Sequence, residues 1–486
     1  MNCPKSICVV GGGTAGFVTA LILKKTYPKI KIDLIESSKL GIIGVGEGST
    51  EHWNDFAKFM DIDKQEMLRE CDATFKAGIM FENWGDTPYL QTVENSFTQK
   101  YHEFPAVYAD AILNNKPLVS PEAWNSEILF DDGFKEALEQ FPVNQFHFNT
   151  NKLNHYLHNL AERFDISITD DIIIDVEVDN GQITTIKSKT KEYKYDFYID
   201  STGFKKILIS KLGAQWQSYS KYLKMNSAIV FPTSDEEDYP MWTLARAMDA
   251  GWMFRIPVWE RKGNGYIFDK NFITPEQAKL EVENYLGHEI DVKKHIEFDP
   301  GCLEKVWIGN CVAVGLSASF VEPLEATSIG TSIQQAFLLV NRIINYNDAV
   351  IDVYNNEVEE ILLDIRDFIA LHYITKRDDT PFWKSINDMP LPPNLEKWLP
   401  IWKNRMPTES DFGGEGSYKL FDFANYILVL AGLNLFNKDA IQKQMEHVPD
   451  DIKNLCKITQ DAMTEDYRNN PKIPHKDFIR LVRNIR

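Results

Sequence analysis

The sequence has few cysteines and no cysteine pair of the kind that binds metals. Its 486 residues include six cysteines, too few for a disulfide scaffold in so long a chain. None of them forms a C-x-x-C pair, so nothing supports a zinc knot or a redox motif. They are Cys3, Cys8, Cys71, Cys302, Cys311 and Cys456. We therefore predict no metal site.

The sequence also lacks long apolar runs and an excess of basic residues. No apolar run approaches the roughly 18 residues that a membrane span needs. The start, MNCPKSICVVGGG, has no basic region before a long apolar stretch, so we expect no signal peptide. The net charge of −19 disfavours nonspecific binding to nucleic acid or anionic membranes. We expect a cytoplasmic protein without nucleic-acid or membrane partners.

Length and composition predict a large globular protein. Apolar residues make up 44% of the 486 residues, which suits two or three domains or one large interwoven unit. The sequence shows no internal repeat, low-complexity tract or obvious linker. We therefore expect domains that are interwoven along the chain.

The first 36 residues follow the pattern of a βαβ unit. SICVV at 6–10 predicts a strand, FVTALILKKTYP predicts a helix that stops at Pro28, and KIDLIES predicts a second strand. Further along, Asn180-Gly181 breaks a strand alternation and predicts a tight hairpin. Residues 221–270 are predicted to be strand-rich, and the chain from 330 onward to be mainly helical. The fold class is therefore mixed α/β.

A dinucleotide site is predicted at the first turn of this unit. GGGTAG fits G-x-G-x-x-G between a strand and a helix, and Glu36 ends the next strand. The glycines let the backbone approach a pyrophosphate, the helix N-terminus supplies N–H groups, and the acid accepts hydrogen bonds from a ribose. The cofactor-binding residues predicted here are Gly11, Gly13, Thr14, Ala15, Gly16 and Glu36.

Two later segments favour FAD over NAD, although an acid at position 36 serves either cofactor. DFYIDSTGF at 196–204 and NCVAVGLSASF at 310–320 both predict strands that run into turns of small residues. Large FAD proteins return to the nucleotide in this way, whereas a simple NAD domain closes its site in its first half. The sequence therefore predicts a Rossmann-type FAD-binding fold.

Lys76, in DATFKAGIMFENW, has apolar neighbours on both sides. Taken alone, the stretch favours an ordinary solvated lysine, because lysine is nearly always on the surface and lays its stem over apolar groups. The alternative is a lysine that points into the protein for chemistry.

Several motifs together resemble the flavin-dependent tryptophan-halogenase-like family from end to end. They are GGGTAG, GVGEGST, TFKAGIMFENW, YHEFPA, GWMFRIPVWERKGNGYIF, NCVAVGLSASFVEPLEATSI and HYITKRDDTPFW. The resemblance implies an FAD-binding body over 1–330, interleaved with substrate-side segments at about 51–165 and 221–270. It also implies a mainly helical substrate-binding part over 331–486, and reduced FAD that a separate flavin reductase delivers.

The resemblance also implies a mechanism. Halide is oxidised to hypohalous acid, which travels to a lysine that matches Lys76 and passes the halogen to an electron-rich aromatic ring. Burial would favour the neutral, nucleophilic amine. Glu325 matches the family glutamate near that lysine and would polarise the oxidant or accept the ring proton. It could instead be a carboxylate stabilised by a helix N-terminus, and Glu322 is its competitor.

The resemblance assigns further residues to the flavin and to the halide. Gly46, Glu47, Leu316 and Ile329 match positions around FAD, and Thr327 and Ser328 match the halide-binding backbone. The family commonly has S-T-G after the glutamate, where this chain has A-T-S at 326–328. We therefore predict chloride, bromide or iodide as the halide, of which bromide and iodide are the easier to oxidise.

The W-x-W-x-I-P motif of the family separates flavin from substrate. Here it reads W-x-F-x-I-P, so Trp252, Phe254 and Pro257 would form the wall, with phenylalanine in place of the second tryptophan.

His102 and Phe104 match positions that sandwich the indole in tryptophan-specific members, and flat rings suit a flat aromatic substrate. The clamp for the amino-acid end is shortened or missing, because SYKLFDFANYILVLAGL runs quickly from Tyr418 to a helix at Asn425. We therefore predict an indole, a phenol or another electron-rich aromatic as substrate, and not free tryptophan.

The nucleotide motifs also fit two other functions. An FAD-dependent aromatic monooxygenase would keep the nucleotide motifs without needing Lys76 or Trp252, and a noncatalytic flavin-binding protein would give no halide-dependent product. Because related proteins are often dimers, we also expect a homo-oligomer.

Overall fold

The computed structural model describes residues 2–41, 47–92, 105–129, 145–234, 239–413 and 420–484. The chain folds into two compact units, each assembled from separate segments of the sequence. The first unit comprises Met1–Asp72, Phe148–Ser220 and Asp299–Leu363. The second comprises Ala73–His147, Lys221–Phe298 and Asp364–Arg486. The assignment of a FAD-binding body to 1–330 and a substrate-binding part to 331–486 stays a prediction.

The first unit is built on a mainly parallel sheet. In spatial order its strands are Trp307–Ile308, Cys311–Ala313, Phe197–Asp200, Ser6–Val10, Lys31–Glu36 and Ser167–Asp170. Neighbours pair in parallel except Trp307–Ile308, which pairs antiparallel with the next strand. The central strand Ser6–Val10 is an almost continuous apolar run because both of its faces are buried. Its order and its crossover helix confirm the predicted Rossmann-type βαβ unit.

Helices and smaller sheets complete the first unit. The helices are Thr14–Thr26, His52–Met60, Lys64–Glu70, Thr150–Arg163 and Thr327–Val340, with short 3-10 turns at Gly203–Lys205, Ile209–Leu212 and Gly315–Ser317. The other strands are Glu47–Gly48, Asp175–Asp179, Gln182–Lys187, Glu192–Tyr193, Trp216–Ser218, Gly301–Leu303 and Ser319–Phe320. Asp179 pairs with Gln182 across Asn180-Gly181, where both residues have positive φ, so the predicted hairpin is confirmed.

The second unit contains a mainly antiparallel sheet. In spatial order its strands are Lys294–Glu297, Ser227–Ser234, Arg261–Phe268, Gly251–Val258, Trp242–Ala247, Gly78–Glu82 and Tyr89–Thr92. Trp242–Ala247 and Gly78–Glu82 pair in parallel. One face of the sheet packs Phe231, Met253 and Phe268 into a buried apolar cluster that includes Ala278 and Val282 of the helix Pro275–Leu286. The strand-rich character predicted for 221–270 is confirmed.

Short strand pairs and helices make up the rest of the second unit. Thr74–Phe75 pairs with the start of Phe146–Phe148, and Glu127–Leu129 pairs with Lys472–Pro474. The helices are Pro105–Leu113, Pro121–Asn125, Pro275–Leu286, Pro381–Asn387, Pro393–Trp402, Phe423–Gly432, Lys438–Glu446, Asp450–Asn469 and His475–Asn484, with a 3-10 turn at Glu409–Phe412. Asp348–His372 is divided between the units. The helical character predicted beyond residue 330 is confirmed. Within the described ranges, no helix is both long and apolar enough to cross a membrane.

Candidate active site

The turn after the first strand is built so closely that glycine is required at two positions. Gly11 has φ +114°, and a Cβ there would lie 2.0 Å from the Ser201 carbonyl oxygen. A Cβ on Gly16 would lie 2.2 Å from the Gly11 carbonyl oxygen. Strand, turn and helix therefore pack with no room for a side chain at either place.

The helix that follows presents an uncapped N-terminus. Thr14–Thr26 begins after Gly13, no described side chain caps it, and its first turn contains no acid. A Cβ on Gly13 would have no described atom within 4 Å. Open space in front of N–H groups at the positive end of a helix is what a pyrophosphate needs. The residues present therefore fit a dinucleotide cofactor.

Glu36, at the end of the strand Lys31–Glu36, is held by the helix Thr150–Arg163. Glu36 Oε1 lies 3.0 Å from His158 Nδ1, and Asn154 Nδ2 donates to the Gly12 carbonyl oxygen at 2.6 Å. One helix thus supports both the glycine turn and the acid. Sequence reasoning missed His158 and Asn154, because the helical period of 151–163 shows a helix but not what the helix contacts.

A second turn reaches the nucleotide loop from late in the chain. A Cβ on Gly315 would lie 2.5 Å from Ala15 Cβ, so the turn Gly315–Ser317, which includes Leu316, packs against the start of the helix Thr14–Thr26. Ser317 Oγ donates to Asp200 Oδ1 at 3.1 Å. The predicted return of the chain near residue 316 therefore brings Leu316 close to the glycine turn.

The segment that contains both candidate glutamates has unusual backbone geometry. Glu322 has φ +86° and Ala326 has φ +54°, and neither is a glycine. Left-handed backbone at residues with side chains is costly, and such outliers cluster at functional sites. Glu325, between them, is fully buried, and Glu322 is nearly so.

Thr327–Val340 is the helix that follows this segment. No described side chain caps its N-terminus, and no acid lies in its first turn. Thr327 and Ile329 are buried, whereas Ser328 is exposed. The first-turn N–H groups of such a helix favour an anion, because they lack partners within the helix and lie at its positive end.

Lys76, in the second unit, has 0% solvent exposure. This burial excludes the ordinary solvated lysine. Its backbone N–H donates to the Gln145 carbonyl oxygen at 2.9 Å, which extends the pairing of Thr74–Phe75 with Phe146–Phe148 by one step. The chemical role of the lysine stays a prediction.

Two buried histidines hold the segment before Lys76. His147 Nδ1 lies 3.2 Å from Thr74 Oγ1, and the Phe75 N–H donates to His475 Nε2 at 3.2 Å. Burial lowers the pKa of His475 to about 4. Burial holds the pKa of His147 well below its ordinary value. Both imidazoles are therefore neutral at pH 7.

Sequence reasoning missed Thr74, His147 and His475. Thr74 lies two residues before Lys76, so strand alternation alone would have placed it on the same face as the lysine. Nothing local in the sequence marks His475, because its contact with Phe75 joins residues 400 positions apart.

The predicted wall lies on the strand Gly251–Val258. Trp252 and Phe254 are both buried on one face, with ring centroids 6.1 Å apart. A Cβ on Gly265 would lie 2.5 Å from the Phe254 ring, so this ring packs directly on the backbone of the next strand. Pro257, near the end of the strand, accepts a hydrogen bond from Thr74 Oγ1 at 2.6 Å.

Several predicted residues lie outside the described residues. They are Gly46, His102, Phe104 and Tyr418. Glu47 belongs to the strand Glu47–Gly48, but its side chain is also outside the described part. Within the described part, no group of three or more His, Cys, Asp or Glu residues is arranged to hold a metal ion.

Comparison with known proteins decides among the open functions. The family model described as "Tryptophan halogenase" matches residues 6–450. The chain belongs to the tryptophan halogenase family. It is 31% identical over 445 residues to the 7-chloro-L-tryptophan 6-halogenase KtzR of Kutzneria sp. (strain 744), with 82% of this chain and 85% of that protein aligned.

Solved structures of halogenases share the fold. The tryptophan halogenase from Shewanella frigidimarina NCIMB 400 has a TM-score of 0.87 at 24% identity, covering 98% of this chain and 97% of that one. Tar14, a tryptophan C-6 flavin-dependent halogenase (chlorinase) from taromycin biosynthesis, has a TM-score of 0.83 at 25% identity, covering 98% and 99%. The resemblance found in the sequence is confirmed.

Membership in the tryptophan halogenase family makes this chain a flavin-dependent enzyme that halogenates aromatic compounds. The family implies FAD and a halide ion. The uncapped helix Thr14–Thr26, the open space at Gly13 and the acid Glu36 fit the dinucleotide part of FAD. Glu325 and Lys76, which the resemblance matches to the family glutamate and lysine, are both fully buried.

Proposed function

We propose that this enzyme uses reduced FAD, oxygen and a halide to make hypohalous acid, which Lys76 relays to an electron-rich indole or phenol. The observation that supports this most strongly is the complete burial of Lys76 in a segment bonded to the strand with Trp252 and Phe254. A lysine out of solvent favours the neutral amine, which can hold the halogen by a hydrogen bond or as a haloamine. Glu325 is proposed to polarise the oxidant or to accept the ring proton.

In this proposal the bound reduced flavin supplies the reducing equivalents that turn oxygen and halide into the oxidant. The glycine turn, the Thr14–Thr26 helix N-terminus, Glu36 and Leu316 would hold the cofactor, with Gly46, Glu47 and Ile329 completing its site. Thr327 and Ser328, at the uncapped start of Thr327–Val340, would bind the halide through backbone N–H groups. Trp252, Phe254 and Pro257 would keep the flavin apart from the substrate.

Bromide or iodide is proposed as the preferred halide. The chain has Ser328 where the family commonly has glycine, and Ala326 before it has left-handed backbone geometry. The side chain at Ser328 supports a halide site that differs from the common one of the family. A Ser328→Gly variant is expected to raise the yield with chloride relative to bromide.

An indole or phenol other than free tryptophan is proposed as the substrate, with His102 and Phe104 stacking on its ring. The short segment before the helix Phe423–Gly432 supports this choice, because it leaves few residues for an amino-acid clamp. We further propose that a separate flavin reductase supplies the reduced flavin, that the enzyme is a cytoplasmic homo-oligomer, and that 1–330 forms the FAD-binding body and 331–486 the substrate-binding part.

The test combines the purified enzyme with FAD, a flavin reductase, NADH and a panel of indoles, phenols and tryptophan. Chloride, bromide and iodide are supplied separately, and catalase removes peroxide. Lys76→Ala is compared with Lys270→Ala, which removes an exposed lysine that pairs with Glu297. Mass spectrometry identifies the products.

A halogenated product that Lys270→Ala retains and Lys76→Ala loses is the expected result. Equal product from Lys76→Ala would contradict the relay. A product that gains oxygen and no halogen under every halide would favour the aromatic monooxygenase instead.

A further inference from the structure

A chain of side-chain hydrogen bonds joins the lysine-bearing segment to two neighbouring strands of the large sheet. Thr243 Oγ1 lies 2.9 Å from His147 Nε2, and His147 Nδ1 lies 3.2 Å from Thr74 Oγ1. Thr74 Oγ1 donates in turn to the Pro257 carbonyl oxygen at 2.6 Å. All three side chains are buried. The chain therefore starts on the strand Trp242–Ala247 and ends on the wall strand Gly251–Val258.

The number of available donors determines where the hydrogens lie in this chain of hydrogen bonds. A hydroxyl has one hydrogen, and Thr74 gives it to the Pro257 carbonyl. Thr74 Oγ1 must then accept from His147 Nδ1–H. A neutral imidazole has only one N–H, so His147 Nε2 accepts from the Thr243 hydroxyl. His147 is thereby held as the Nδ1–H tautomer.

Lys76 lies on the same face of the paired strands Thr74–Phe75 and Phe146–Phe148 as the hydrogen-bonded side chains. Thr74 is opposite His147, and Phe75 is opposite Phe146. Because strand side chains alternate, Thr74, His147 and Lys76 share one face. Phe75 and Phe146 lie on the other face, with ring centroids 5.5 Å apart.

We propose that His147 is a positioning residue for the relay lysine: through Thr74 it holds the segment with Lys76 in register with the wall strand, and it presents a neutral ring on the lysine's face. The proposal rests on the relay role of Lys76. Neutral His147 adds no positive charge beside the amine, and burial keeps it neutral.

The expected consequence is a change in where the oxidant goes. A lysine moved by about 1 Å would receive hypohalous acid poorly, since displacements of that size can cost about a hundredfold in rate. Hypohalous acid would still form but would escape. The fraction of oxidised halide that becomes aromatic product should therefore fall, while total oxidised halide stays the same.

The test uses variants of Thr74 and His147. Thr74→Val removes the hydroxyl and keeps the shape, and Thr74→Ser restores the hydroxyl. His147→Phe removes both ring nitrogens. Thr233→Val is the matched control, because Thr233 is a buried threonine of the sheet that contains Thr243, and its hydroxyl accepts from Asn264 Nδ2. Each variant is assayed with bromide and an indole, with monochlorodimedone added in parallel reactions to trap free hypohalous acid. Melting temperature and bound FAD are measured alongside.

We expect the product fraction to fall about tenfold or more in Thr74→Val and His147→Phe. Thr74→Ser should restore the wild-type fraction, and Thr233→Val should leave it unchanged. A general loss of folding would lower product and trapped halogen together. Ring 15N shifts of labelled histidine, which need no activity, should report the Nδ1–H tautomer for His147 in the wild type.

The outcomes separate this inference from the proposed function. A Lys76-dependent product whose fraction is unchanged in Thr74→Val would overturn the positioning role alone, as would the Nε2–H tautomer. Equal product from the wild type and Lys76→Ala would overturn the relay and the positioning role together.

Discussion

The backbone N–H of Phe75 donates to His475 Nε2 at 3.2 Å, across 400 residues of sequence. His475 begins the helix His475–Asn484, and its Nδ1 bonds to the Tyr239 carbonyl oxygen at 2.9 Å. The residue directly before the candidate relay lysine is thus held by the C-terminal helix of the same unit. His475 holds the backbone, and His147 holds the side chain of Thr74.

Replacing His475 should destabilise the protein. His475→Leu leaves the buried Phe75 N–H and the Tyr239 carbonyl without their imidazole partner. Each lost bond costs about 1–3 kcal/mol, so the two together should lower the unfolding free energy by about 2–6 kcal/mol. Urea unfolding at pH 7 measures this loss, with the exposed residue His288 changed to Leu as the control. A loss no larger than that of the control would show that the bond to Phe75 contributes little.

The unfolding free energy should fall as the pH falls below the pKa of free histidine. The pKa of His475 is lowered from 6.5 to about 4, so the unfolded state binds the proton first. The contribution of the neutral ring is complete above pH 6.5 and declines by about 3 kcal/mol as the pH falls to about 4. His52, with a pKa also lowered to about 4 by burial, acts in the same direction.

A His475→Gln variant isolates the part of this pH dependence that is due to His475. Unfolding free energies of the wild type and His475→Gln are compared between pH 4.5 and 7. The slope of the unfolding free energy against pH should be smaller in the variant, by up to the amount that corresponds to one bound proton. Parallel slopes would mean that His475 is not held neutral in the folded protein.

The glycine turn allows folding and cofactor binding to be separated. A methyl on Gly13 has open space around it, so Gly13→Ala should change the unfolding free energy by less than about 1 kcal/mol. The same methyl would occupy the space proposed for the pyrophosphate, and FAD affinity should fall about tenfold or more. Gly11→Ala should instead impair folding, because its Cβ would meet the Ser201 carbonyl at 2.0 Å. Calorimetric titration with FAD and thermal melts measure both. Unchanged FAD affinity in Gly13→Ala would show that the cofactor does not bind at this helix N-terminus.

Ala326 should be more stable as glycine. Its left-handed backbone, φ +54°, costs an L-residue about 1–2 kcal/mol, whereas glycine in that conformation costs about 0.5–1 kcal/mol in chain entropy. Ala326→Gly is expected to raise the unfolding free energy by about 0.5–1 kcal/mol. Ala336→Gly, in the interior of the helix Thr327–Val340, should lower it by about 1 kcal/mol or more. The same sign for both substitutions would contradict strain at Ala326.

The parts of the fold that depend on local pattern were predictable. The βαβ unit, the hairpin at Asn180-Gly181 and the glycine turn follow from periodicity and from residue types that only a few conformations accept. The inward position of Lys76 did not follow from its neighbours, which suited a surface lysine equally well; only the family resemblance pointed to it.

The contacts that hold the site were not predictable from single motifs. His475 reaches Phe75 from the C-terminal helix, and His147 reaches Thr74 only because two short strands pair. Neither pairing leaves a local signal in the sequence. Left-handed backbone at Ala326 was equally hidden, because alanine gives no sign of positive φ.

Lys76 is proposed to transfer the halogen without taking part in its oxidation. The most direct measurement is the partition of oxidised bromide between halogenated indole and trapped hypohalous acid, in the wild type and in Lys76→Ala, with equal FAD bound. We expect equal total oxidised bromide in both proteins, with halogenated product in the wild type and trapped acid alone in Lys76→Ala. The same product fraction in both proteins would contradict this proposal.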